Sequence, residues 1–390
     1  MADSIAFPAR AEPRAISLST IPWYLWVSVI GVTSAMIGVH WDISWHRSIG
    51  RDTFWTPPHI AIYLCGVIAG ISSAYLILAT TFGRLPAVRA SSVRMWGFHG
   101  PLGAFVTAWG GIAMLVSAPF DDWWHNAYGL DVKILSPPHT LLAMGMIFLQ
   151  FGACVSICKY LNTGIGNAAV LRLLFVIGAC SLLCMVYTLF TDFLHVRAER
   201  SGSFYIIAAI ASLLLLPAFG RALRMRWGMT AITGGYFLLV ALSNWILQLF
   251  PAEPKLGPIL THLTHFQPAQ FPALVFIPAL AMDLVLQRSR ANDWVKAFWL
   301  SLFFVVGLAA VQYPLSGFLL ESPGARNWFF GADTWYYGAS PDAPFRYSFR
   351  PEDIASLPKL LGGLAIAVAA GWLCAGVSLR WGRWMLKIQR

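Results

Sequence analysis

Charge is what this chain has least of. Of its 390 residues 11% are Asp, Glu, Lys or Arg and 58% are hydrophobic, whereas about a quarter of a soluble domain is charged. A soluble globular domain is thereby excluded. No Gly-x-Gly-x-x-Gly fingerprint appears, so no flavin or nicotinamide fold is indicated. No linker or low-complexity break divides the chain, and residues 1–390 read as a single transmembrane domain. Polar groups deep inside the apolar runs are few, Asn244, Gln312 and Asp283 among them. That scarcity argues against a conducting path. The six cysteines all fall within apolar runs, where a thiol behaves as a small hydrophobe.

What is present is a succession of apolar runs, each long enough to cross a ~30 Å hydrocarbon core as a helix. Ten occur, at about 21–40, 58–81, 98–118, 138–158, 168–191, 203–220, 229–250, 271–287, 294–320 and 356–379. They predict an all-α, polytopic integral membrane bundle of about ten transmembrane helices. The net charge of +10 follows topology. With both termini cytoplasmic, the inner segments hold 17 of the 27 Lys/Arg, and the outer segments hold 13 of the 17 acidic residues. Short cationic loops stay inside, so the basic charge predicts orientation in a bacterial-type inner (plasma) membrane and no nucleic-acid partner. The first run is too long for a signal-peptide core and reads as an uncleaved span.

One stretch occurs twice. Asp42, His46, Gly50, Asp52 and Thr56-Pro57-Pro58-His59 are matched by Asp121, His125, Gly129, Asp131 and Ser136-Pro137-Pro138-His139. Each copy lies between two spans, giving a repeated helical-hairpin unit over residues 1–160, followed by further spans over 161–390 with a long outer loop at 321–355. Four-residue spacing puts Asp and His on one helix face. Thr or Ser before Pro-Pro starts the next helix, with His59 or His139 in its first turn. Asp, His and His therefore meet where one helix ends and the next begins. A carboxylate at a helix C-terminus near the bilayer is disfavoured by the dipole and by poor hydration, and a bound cation offsets both. The ligand set suits iron(II), copper or zinc, with positions left open.

Other readings remain open. Asp52 and Asp131 are either supports for the imidazoles or turn residues. Asp192 with His195, and His262 with His265, are weaker candidates for further ligands or a proton path. Trp41, Trp45, Trp55, Trp123 and Trp124 fit an interfacial belt, and Asp283 is expected to pair with Arg288. The aromatic loop around Trp328 and Trp335 is a cap over the site, a partner surface, or a belt segment. Eight of the nine histidines fall at outer ends of spans, and only His99 falls near an inner end.

At intervals of four and thirteen (Asp42, His46, His59) and of four and fourteen (Asp121, His125, His139), the pair resembles the C subunit of the copper-dependent membrane monooxygenases, the particulate methane and ammonia monooxygenase family. The resemblance covers roughly residues 20–160. That subunit has an Asp-His-His copper site and a neighbouring Asn-His-His site; here Asp121 stands where the family has asparagine. The chain also has about four spans more, and no domain like the family's periplasmic copper-binding subunit. The resemblance implies copper, dioxygen activation and hydroxylation of a small apolar molecule. Electrons would come from an external donor such as a quinol, and partner subunits or a homo-oligomer would complete the assembly. The alternatives are a metal transporter or delivery protein, and a subunit whose metal is structural.

Overall fold

The computed structural model describes residues 21–50, 55–129, 136–255, 262–331 and 343–390. Asp52, Asp131 and Trp335 lie outside them. The fold is an all-α bundle in which, among the described residues, nine helices are long and apolar enough to cross a membrane. The first two are α1 (Trp23–Ser48) and α2 (Pro57–Thr81). A five-residue helix α3 (Pro86–Ala90) and a hairpin of β1 (Val93–Met95) and β2 (Phe98–Gly100) then lead into α4 (Leu102–Tyr128). Trp96 and Gly97 both take positive φ at the hairpin turn, the backbone that tight antiparallel turns need.

There follow α5 (Pro137–Thr163), α6 (Ala168–Leu189), α7 (Gly202–Ala222), α8 (Gly228–Leu247), α9 (Phe276–Arg288), α10 (Asp293–Glu321) and α11 (Leu357–Met385). Helices α1, α2, α4 and α5 form a closed group of two antiparallel hairpins, with α2 between α1 and α4. Helix α6 joins that group to the rest, where α7 lies along α11 and α10 completes the packing. Lipid tails supply no hydrophobic drive between helices, so close backbone approach through small residues holds them. Gly110 faces Gly145 on α5, Gly70 faces Gly111, and Gly202 faces Gly363. At the end away from the motifs, Asp293 is held by Arg221 at 3.2 Å and by Arg383 at 2.8 Å, tying α7, α10 and α11.

The run at 271–287 is the departure. Its helix, α9, has 13 residues, about 20 Å at 1.5 Å per residue, too short for a ~30 Å core. The preceding stretch, 267–274, has no regular secondary structure, and Val275 lies in a turn. Pro268 and Pro272 lack the N–H a helix needs and force the residues before them out of the helical region. Hydropathy cannot register this, because an irregular buried segment is as apolar as a helix.

Asp283 does not pair with Arg288. Its carboxylate accepts the Met229 N–H at 3.2 Å and, from Thr230, the N–H at 2.8 Å and the hydroxyl at 2.7 Å. The N-cap residue of α8, Trp227, has no capping side chain of its own, so α9 supplies the cap. Asp283→Ala is expected to lower unfolding stability by about 2 kcal/mol. Arg288→Ala, at an exposed position, should leave it within about 0.5 kcal/mol; denaturant melts of the two variants check this.

Candidate metal centre

Both motifs lie at one end of the α1–α2–α4–α5 group. Helix α1 runs on through Asp42 and His46 to Ser48, and α4 runs on through Asp121 and His125 to Tyr128. Each Asp–His pair therefore sits on one face, as the four-residue spacing predicts. Gly50 (φ 101°) and Gly129 (φ 83°) then turn the chain, a backbone that glycine adopts without a Cβ penalty. Helices α2 and α5 begin at the Pro-Pro pairs, with His59 and His139 in their first turns. Ser136 caps α5 by accepting the His139 N–H, whereas Thr56 makes no side-chain cap bond.

The second set converges. His125 Nε2 and His139 Nε2 each lie 3.4 Å from Asp121 Oδ1, and all three ligand atoms fall within 4.8 Å of one another. The three side chains are half-buried. The first set is looser. His59 Nε2 is 3.3 Å from Asp42 Oδ1, but His46 Nε2 is 3.8 Å from the other oxygen, Oδ2. Among the described residues, the second set is the one three-ligand group whose atoms all meet within that limit.

Three features fit the second set to a cation. Two ligand atoms each about 2.1 Å from a tetrahedral ion are about 3.4 Å apart, which is the spacing found on both sides of Asp121 Oδ1. That oxygen is shielded from solvent and accepts no hydrogen bond among the described residues, an arrangement that is costly for a carboxylate left alone. Third, His125 Nδ1 is 3.3 Å from the Gly129 carbonyl. A carbonyl only accepts, so Nδ1 is the donor there, and Nε2 is the ring nitrogen on the Asp121 side. Such a partner on the far ring nitrogen is how proteins fix a ligating imidazole. Asp42 Oδ1 is likewise shielded and accepts no hydrogen bond among the described residues, so the first set has the same chemistry in a more open geometry.

The aromatic residues divide. Trp55 and Trp123 are 72% and 53% exposed, as a belt requires. Trp123 and Trp124 pack with Phe120 and Tyr128 beside the second set. Trp41 and Trp45 instead turn inward against the cluster of Ile49, Leu247, Ala252 and Phe266.

The weaker candidates are placed elsewhere. Asp192 is exposed, and His195 starts the 3-10 turn Val196–Arg200. Burial lowers the His195 imidazole below its ordinary range, against the opposing pull of Asp353. His262 and His265 are both exposed, and His265 Nδ1 lies 2.9 Å from the Thr264 hydroxyl. None of the four enters a three-ligand group among the described residues. The described part of the 321–355 loop rests on α8: Trp245 Nε1 donates to the Phe329 carbonyl at 2.8 Å, and Trp328 stacks on Trp245.

Sequence reasoning missed one functional candidate, Glu199. It is buried, and its Oε2 makes no hydrogen bond among the described residues. Its place in a predicted outer segment carried no signal of burial. Comparison with protein-family models, with curated proteins and with solved structures returns no match.

Proposed function

We propose that this chain is a membrane oxidoreductase with a copper centre on Asp121, His125 and His139 and a second, more open set on Asp42, His46 and His59. In this reading it works as the copper membrane monooxygenases do, hydroxylating a small apolar molecule. The observation that carries it is the shielded Asp121 Oδ1, 3.4 Å from two imidazole nitrogens on two different helices. Imidazole and carboxylate suit copper, iron and zinc alike; the resemblance of the paired intervals selects copper. When bound, copper would supply dioxygen binding and one-electron chemistry.

The chain's own residues do the rest. Asp121 brings the compensating charge, His125 is oriented by the Gly129 carbonyl, and His139 arrives from a helix start held by Ser136. Phe120, Trp123, Trp124 and Tyr128 provide an apolar wall by which a small hydrocarbon reaches the site from the bilayer and water is kept off it. Electrons come from an external donor such as a quinol.

Metal analysis and electron paramagnetic resonance of the purified protein in lipid test this. Copper with nitrogen couplings is expected, together with oxygen consumption that needs both a reductant and an apolar substrate, and both are lost in His125→Ala. Full metal occupancy in His125→Ala would overturn the site. The broken span at 267–288 favours a second reading, metal transport or delivery, because irregular backbone at membrane depth lines binding sites in transporters. Copper uptake into proteoliposomes with no oxygen consumption would select it.

A further inference from the structure

The break in the eighth apolar run sits beside a cavity that neither motif uses. The irregular stretch 267–275 is held by side chains from three other elements and by its own Gln270 side chain. The hydroxyl of Ser48 on α1 accepts the Gln267 N–H at 2.7 Å, and Asn244 on α8 donates to the Gln270 carbonyl at 3.2 Å. Gln312 on α10 accepts the Leu274 N–H at 3.1 Å, and Gln270 itself accepts the Val196 N–H at 2.8 Å. Non-helical backbone at membrane depth persists only where protein or a water-filled cavity satisfies it. Asn244 and Gln312, two of the few mid-span polar groups, are thereby explained.

The cavity has about 70 Å³ of space, enough to hold water beside its polar groups. Backbone 269–273 forms one wall, and His40, Arg47, Tyr187, Tyr236 and Glu199 line the others. His40 and Glu199 are each 3% exposed. Among the described residues, His40 Nδ1 and Glu199 Oε2 both lack a hydrogen-bond partner. The other carboxylate oxygen, Oε1, accepts the Gln312 amide at 2.9 Å, and Tyr205 donates to the Glu199 carbonyl at 2.9 Å. The carboxyl is therefore fixed in place with one oxygen left over. No Lys or Arg forms an ion pair with it among the described residues; Arg200, its neighbour, lies over the Tyr313 and Phe349 rings.

We propose that Glu199 and the water-sized cavity it lines are a buried proton-binding site, separate from both metal sets. A hydronium in the cavity gives its proton to Oε2; one O–H bond forms on the carboxyl, one breaks on the hydronium, and neutral water remains. The groups lining the cavity with the carboxyl fit this occupant. They are His40 and Arg47 from α1, Cys184 and Tyr187 from α6, and Tyr236 from α8. Tyr205 from α7, Gln312 and Tyr313 from α10, and Arg200 on its own turn complete the surround. A single carboxylate in a cavity that the Arg47 guanidinium also lines is a poor sodium site, whereas a proton needs one base and one water. Burial pushes the Glu199 carboxyl well above its ordinary range, although Gln312 and Arg200 pull the other way.

The test is infrared difference spectroscopy of the full-length protein in phosphatidylcholine vesicles, metal-stripped and copper-loaded, across a pH titration. A carboxylic-acid carbonyl band is expected at pH values where exposed carboxylates are ionised. It should shift in D2O, be the same with and without copper, and vanish in Glu199→Gln, a near-isosteric change. Stability measured alongside should fall as pH rises through the titration, because the folded state holds the proton more tightly than the unfolded one; Glu199→Gln should remove that slope. A band unchanged in Glu199→Gln overturns the assignment. So does a band that ignores D2O, or one displaced by sodium in place of protons. Should Glu199→Gln not fold, Glu199→Asp decides: a moved band supports the site and an unmoved one overturns it. Because copper is absent from one arm, failure here leaves the metal reading untouched.

Discussion

Asp121→Ala is expected to cost the second set its metal, weakening binding by at least about 100-fold, the upper range for losing a mere supporting residue around a metal. Asp121 Oδ1 is the one atom that both imidazoles approach, at 3.4 Å each. Without it, two neutral imidazoles on α4 and α5 remain, with no charge to offset the cation. Asp121→Asn separates charge from shape, since it keeps an oxygen in place and removes the negative charge. It also restores the residue that the resembled copper family carries there, and its affinity should fall between those of wild type and alanine. Asp42→Ala should leave the second set loaded, because Asp42 is on α1 and binds with His59 on α2. Metal-to-protein ratios and competition titrations on the three variants measure this. Loss of both metals in Asp42→Ala, with full occupancy in Asp121→Ala, would reverse the ranking of the two sets.

That ranking was not legible in the sequence, although the side chains that converge were. Asp-x3-His on a helix face and a Pro-Pro-His helix start are local rules, and both copies obey them. Whether three atoms meet depends on how closely two helices approach and at what angle, which no spacing within one copy encodes. Trp41 and Trp45 show the same limit. They belong to the motif by position, but they turn inward because Phe266, over two hundred residues away, covers them.

The broken span shows a different limit. Length and apolar content identified the other nine spans because a transmembrane helix satisfies its own backbone. The stretch before α9 is satisfied by Ser48, Asn244 and Gln312 from elsewhere, so its composition matches a helix while its conformation does not. Pro268 and Pro272 were the available signal, and Asn244 and Gln312 were visible as rare mid-span polar residues. Their meaning lay in the partners that folding brought to them.

Gly110→Ala should damage the second metal set from a distance. Helices α4 and α5 meet backbone to backbone: a Cβ on Gly110 would sit 2.5 Å from the Gly145 carbonyl oxygen and 2.8 Å from the Leu149 nitrogen. Backbone atoms cannot rotate aside, so the helices must part by on the order of 1 Å to restore ordinary contact. Gly110 lies about 16 Å along α4 from Asp121, three helical turns, on the interface that ends at the metal set. Parting stretches the Asp121–His139 distance, which crosses the interface, and leaves Asp121–His125, which lies within α4. Metal binding by the second set should weaken at least about tenfold and unfolding stability should drop by about 2 kcal/mol or more, the scale of overpacking. The first set, on α1 and α2, should keep its metal. Gly70→Ala is the control, because its nearest neighbour is the Gly111 Cα at 3.8 Å, an ordinary contact. Equal melting and equal metal content in the two variants would mean that the second set does not depend on the close approach of α4 and α5.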